Sequence, residues 1–98
     1  MSVYKNLDHG QQSVSSAGTA EALSTSSDLS VGSGAEVAIR ANDDNTGSIY
    51  VGGSDVDSSN GFVLSAGESV ALQVADVSDV YIDADTTGEG VSWITEVA

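Results

Sequence analysis

Ninety-eight residues suit one domain, and a chain of this size buries about 60–65% of the surface that its unfolded form exposes. Fifteen acidic residues stand against two basic ones, Lys5 and Arg40, for a formal net charge of −13. Two cations cannot form the basic stripe that neutralises phosphates, so neither nucleic acid nor an anionic membrane surface is an expected partner. No cysteine is present, which removes disulfides, thiolate nucleophiles and Cys-based metal sites.

The opening residues, MSVYKNLDHG, have no apolar run of the signal-peptide kind. No stretch approaches the roughly 18 apolar residues of a membrane helix. Residues 1–27 are poor in bulky side chains and rich in Ser, Gln, Gly and Ala. Two readings of this stretch stay open: a flexible N-terminal arm that orders only against a neighbour, or one edge strand, at 12–16 or 20–24. An arm carrying one such strand is the preferred reading, with residues 28–98 forming the β-domain.

From Leu29 onward the two-residue period of β-strands is plain. Val37, Ile39 and Ala41 alternate with Glu36, Ala38 and Arg40. Asp43, Asp44, Asn45, Thr46 and Gly47 then read as a hairpin connection into residues 48–52. The segment 47–72, GSIYVGGSDVDSSNGFVLSAGESVAL, holds three strand signals and two turn signals. Ile49, Tyr50 and Val51 form a β-branched and aromatic run ended by Gly52 and Gly53. Asn60 and Gly61 set a turn before Phe62, Val63 and Leu64, and Ala66 and Gly67 turn the chain into a strand bearing Val70, Leu72 and Val74. A strand over 77–83, a turn at 85–88 and a last strand over 91–97 complete the series, with Val91 and Trp93 on one face and Ile94 on the other. Six or seven short strands without a helical period predict an all-β Greek-key sandwich or small barrel. The expected core is Val37, Ile39, Ile49, Val51, Leu64, Val70, Leu72, Val80, Ile82 and Trp93. Only five aromatic residues are available, so this core rests on aliphatic side chains. Proline, one of the usual devices that blunt edge strands, is absent, and negative charge is left to take that role.

Catalysis is not expected. The one histidine, His9, falls in the expected arm, and seventeen serines with ten aspartates make paper triads trivial. The carboxylate pairs Asp43/Asp44, Asp55/Asp57 and Asp83/Asp85 fall in turns, whereas acid–base work needs one partner in an apolar pocket. Their oxygens suit a hard cation such as calcium, yet the EF-hand spacing fails: position twelve is Ile94 in one run and Ala66 in the other. These six aspartates remain weak candidates for a structural cation, and no other cofactor is expected. Tyr50 and Tyr81 fall opposite their strands' apolar stripes and are candidate interface residues, since aromatics are enriched at interfaces; burial on both faces is the alternative.

The progression at 49–56 (IYVGGSDV), 60–64 (NGFVL) and 66–72 (AGESVAL), followed by Val80, Tyr81 and Ile82, resembles small β-sandwich proteins encoded among the virion structural genes of tailed bacterial and archaeal viruses. The resemblance covers the C-terminal two thirds and carries no catalytic signature. It implies a capsid decoration, turret or tail-associated subunit, located in the virion after assembly in the host cytoplasm. Its partners would be itself, as a trimer or pentamer, and other virion proteins such as major capsid or tail proteins. A cellular carbohydrate-binding or adhesion-type module is the alternative.

The acidic, lysine-poor composition is the pattern of halophilic proteins and leads to the expectation of a high-salt origin; an ordinary acidic protein is the alternative. At molar salt the Debye length falls to about 3 Å and self-repulsion is largely screened. Circular dichroism across ionic strength should therefore show thermal stability rising from low to molar salt; an unchanged melting temperature removes the halophilic reading.

Overall fold

The computed structural model describes residues 6–23 and 36–97. Among them eight strands follow in chain order: β1 (Asn6–Ser13), β2 (Glu21–Ala22), β3 (Val37–Ala41), β4 (Ile49–Gly52), β5 (Phe62–Leu64), β6 (Ser69–Leu72), β7 (Tyr81–Ala84) and β8 (Gly90–Val97). They form two four-stranded antiparallel sheets, ordered β1-β8-β3-β6 and β2-β7-β4-β5. Each strand of the first half thus pairs with its mirror in the second: β1 with β8, β2 with β7, β3 with β6, β4 with β5. The chain is a long ribbon bent at the β4–β5 loop and rolled into a sandwich, the connectivity of an eight-stranded jelly roll.

Alternation places the core between the sheets. In β3, Val37, Ile39 and Ala41 are buried while Ala38 and Arg40 face outward. In β8, Val91, Trp93 and Thr95 point in, and Ser92, Ile94 and Glu96 point out. From the opposite sheet Ile49, Val51, Leu64, Ile82 and Ala84 meet them in one apolar cluster, which Val14, Leu23, Val77 and Val80 close at the connections. Of the ten expected core residues, eight are buried. Val70 and Leu72 are only half-buried, because β6 is an edge strand whose side chains pack against the margin of the core.

Three expectations are corrected. The strands number eight, since residues 6–23 supply two edge strands, one in each sheet, where a single strand in an arm was expected; residues 1–5 and 24–27 of that stretch lie outside the described residues. The sequence of β1, NLDHGQQS, shows no apolar alternation, and the strand forms through backbone pairing with β8 over its whole length. Gly10 makes that pairing possible. It lies opposite Trp93, and a Cβ there would stand 2.9 Å from the indole.

The second correction concerns residues 42–48, which do not close a hairpin. β3 and β4 lie in different sheets, and the connection crosses between them. In the third, the expected strand over 77–83 begins only at Tyr81. Val77–Asp79 form a 3-10 turn capped by Asp76, whose carboxylate accepts from Ser78 N at 2.9 Å and Ser78 Oγ at 2.8 Å. The expected turn at Ala66 and Gly67 is present: Glu68 N donates to Ser65 O at 2.9 Å, and Gly67 adopts φ +83°, a conformation that glycine takes without strain.

Leu64 is buried at 2% exposure and Leu7 is 67% exposed. Leu64→Ala should cost about 2–5 kcal/mol through lost burial and the cavity left behind. Leu7→Ala should stay within about 0.5 kcal/mol, and half-buried Leu72→Ala should fall between them. Denaturant unfolding of the three variants checks the order.

Candidate interaction surfaces

The end of β7 and the turn that follows it gather carboxylates that hold other parts of the chain. Glu89 accepts from Thr46 N at 2.7 Å, Thr46 Oγ1 at 2.8 Å and Gly47 N at 3.0 Å. Asp85 accepts from Ser48 N at 3.0 Å and from the Tyr50 hydroxyl at 2.7 Å. Asp83, 2% exposed, accepts from Gly18 N at 2.9 Å and Ala84 N at 2.8 Å. Beside them Asn45 bonds both the N–H and the carbonyl of Gly90, and Ala17 N donates to Thr87 Oγ1 at 3.0 Å. The β1–β2 and β3–β4 connections are thereby tied to one turn. Ionised acceptors make stronger bonds than neutral ones, and here the donors are backbone N–H groups, the partners that a chain with two cations has in quantity.

These bonds set the ionisation of the groups. Backbone donation from Gly47 and Thr46 lowers Glu89, and the bond from Tyr50 lowers Asp85. The same bond raises Tyr50, whose proton is held against the carboxylate. Asp57 is lowered by the Ser59 hydroxyl and N–H, and Asp76 by Ser78.

The six aspartates considered for a cation have other engagements or stand in open loops. Asp43 pairs with Arg40 at 2.6 Å, Asp57 caps its own loop through Ser59, and Asp83 and Asp85 tie connections. Asp44 and Asp55 are exposed. Among the described residues no group of three or more His, Cys, Asp or Glu could hold a metal ion. Tyr50 is not an exposed interface residue: it is 8% exposed, on the outer face of its sheet, with the 53–61 loop against it at Gly61. Tyr81 is half-buried on the same face.

Two other surfaces stand out. The outer face of the β1-β8-β3-β6 sheet carries an open trough of about 530 Å³. One row across the strands is polar, with Gln11, Ser92, Arg40 and Ser69; the adjacent row runs His9, Ile94, Ala38 and Ala71. No carboxylate lines the trough, although the chain has fifteen. The second surface is the outer edge of β5, the last strand of its sheet among the described residues, where Phe62 and Val63 are 59% and 52% exposed and share a cleft with Glu68. Neither is written in local sequence, because each is assembled from separate strands or from the two sides of a turn.

No family model, no characterised protein and no solved structure matches the chain.

Because Asp85 and Glu89 are lowered on folding, their bonds stabilise fully above the ordinary carboxylate range, and that stability is lost as pH falls through the folded values. Glu89→Gln should lower the melting temperature at neutral pH and flatten its decline below about pH 4.5. Asp44→Asn, which removes the same charge from an exposed site, should leave the melting temperature unchanged or raise it at low salt. Calorimetry from pH 3 to 7 separates the two.

Proposed function

We propose that the protein is a non-enzymatic structural subunit of a virus particle, a capsid decoration, turret or tail-associated protein of a tailed virus with a halophilic host. The observation that carries this reading is the jelly-roll strand order, an architecture used by viral capsid domains as well as by lectins and cupins. A fold hosts many functions, so the choice among them rests on the resemblance of residues 49–72 to virion proteins and on the surface. A body rich in exposed carboxylates, with Phe62 and Val63 exposed on one edge and Ile94 in one trough, suits repetitive attachment in strong salt. In this reading copies associate by closed rotational symmetry, threefold or fivefold, beside other virion proteins.

A carbohydrate-binding module calls for an exposed aromatic platform. Trp93 and Tyr50 are buried at 6% and 8% exposure, and the exposed ring among the described aromatics, Phe62 at 59%, stands on a strand edge rather than in a platform of several rings.

Mass spectrometry of gradient-purified particles from a high-salt host that encodes the chain should detect it as a repeated virion component. Its presence in cell extract with absence from intact particles overturns the proposal.

A further inference from the structure

We infer that copies of this chain associate head to tail, the apolar β5 edge of one copy seated in the carboxylate-free trough of the next. The large apolar side chains most exposed on the described surface are Leu7, Phe62, Val63 and Ile94. Phe62 and Val63 fall on the edge and Ile94 in the trough, whereas Leu7 lies beyond the trough, opposite Glu96. Phe62 and Val63 project from β5 with Glu68 in the same cleft and Asp57 in the loop that leads into the strand. Ile94 and Ala38 form the apolar row of the trough, with His9 and Arg40 among its lining and Leu7 farther along β1 on the same outer face.

The two patches are complementary in both respects that matter. Each offers apolar surface to the other, and the acidic rim of the edge meets a surface lined by the Arg40 guanidinium and by no carboxylate. Arg40 can serve a second acceptor. Its guanidinium has five N–H donors, its Nε donates to Gly67 O and one terminal nitrogen to Asp43, and its side chain is 54% exposed. Pairing of β5 with a second β5 is the competing arrangement. It sets the acidic rims of the two edges against each other, a like-charge juxtaposition that interfaces avoid, and it leaves the trough uncovered.

β5 is the edge of one sheet, whereas the trough lies on the outer face of the other. The two surfaces are distinct patches that adjoin at Ser69, which lines both, so the contact is heterologous, closing into a ring where the rotation allows. Salt governs it. At low ionic strength the net charge of −13 keeps copies apart; at molar salt only contacts within about 3 Å remain electrostatically felt, and the apolar contact is free to form.

The inference rests on the self-association proposed above and not on the virion setting. Its test is light scattering with sedimentation at molar sodium chloride on the full chain and two variants at exposed positions, Phe62→Asp and Ile94→Asp, with circular dichroism confirming that both fold. The wild-type chain is expected to form a discrete oligomer and each variant alone a 9.8 kDa monomer. Mixed in equal amounts, the variants are expected to give a one-to-one dimer, since Phe62→Asp retains a working trough and Ile94→Asp a working edge. An oligomer lost in Phe62→Asp but kept in Ile94→Asp, or no dimer on mixing, overturns the head-to-tail pairing alone. A wild-type monomer at molar salt overturns the self-association as well.

Discussion

The turn from Asp85 to Glu89 is the constraint on which the rest of the structure depends. A jelly roll needs its crossovers between sheets held as firmly as its ladders, because no backbone pairing links one sheet to the other. Here Glu89 and Asp85 fix residues 46–48 of the β3–β4 crossover, while Asp83 and Thr87 fix residues 17 and 18 of the β1–β2 crossover. Backbone bonds from Val14 N to Glu89 O and from Gly88 N to Val14 O add to the same junction. With both crossovers anchored there, β2 and β4 flank β7, and β1 and β3 flank β8.

The acidic composition therefore has two structural uses. Exposed carboxylates such as Asp44 and Asp55 cover the surface, whereas Asp83, Asp85 and Glu89 serve as acceptors for backbone donors that no ladder occupies. These donors are exposed or partly buried, and a carboxylate can accept several N–H groups at once. Glu89 does so for two successive residues. In a chain with one described ion pair between side chains, Arg40 with Asp43, these bonds take the place that salt bridges hold in more balanced sequences. They also explain why net charge alone does not decide the fate of a given acid: neutralising one relieves repulsion everywhere but releases a crossover only at the turn.

Much of the fold was legible in the chain. The strands β4, β5 and β6 followed from turn residues and alternation within residues 47–72, and Trp93 in and Ile94 out followed from period two. What was not legible depends on partners distant in sequence. β1 carries a single large apolar side chain, the exposed Leu7, and exists because β8 offers it eight residues of ladder and a tryptophan that only glycine can face. The β3–β4 connection has the composition of a hairpin turn, and nothing local distinguishes a turn that folds back from one that crosses to the other sheet; Glu89, more than forty residues away, decides it. The β7–β8 turn reads locally as a solvated acidic loop, so its binding of two crossovers was equally hidden. The trough combines four strands and was invisible for the same reason.

Native-state amide hydrogen exchange, followed by NMR at molar salt, tests the central role of this turn most directly. If Asp83, Asp85 and Glu89 hold the crossovers, the amides of Gly18, Thr46, Gly47 and Ser48 exchange only with the large-scale opening that frees the amides of β7 and β8. Exchange of these four amides at the rates of open loops, while β7 and β8 stay protected, would contradict the account.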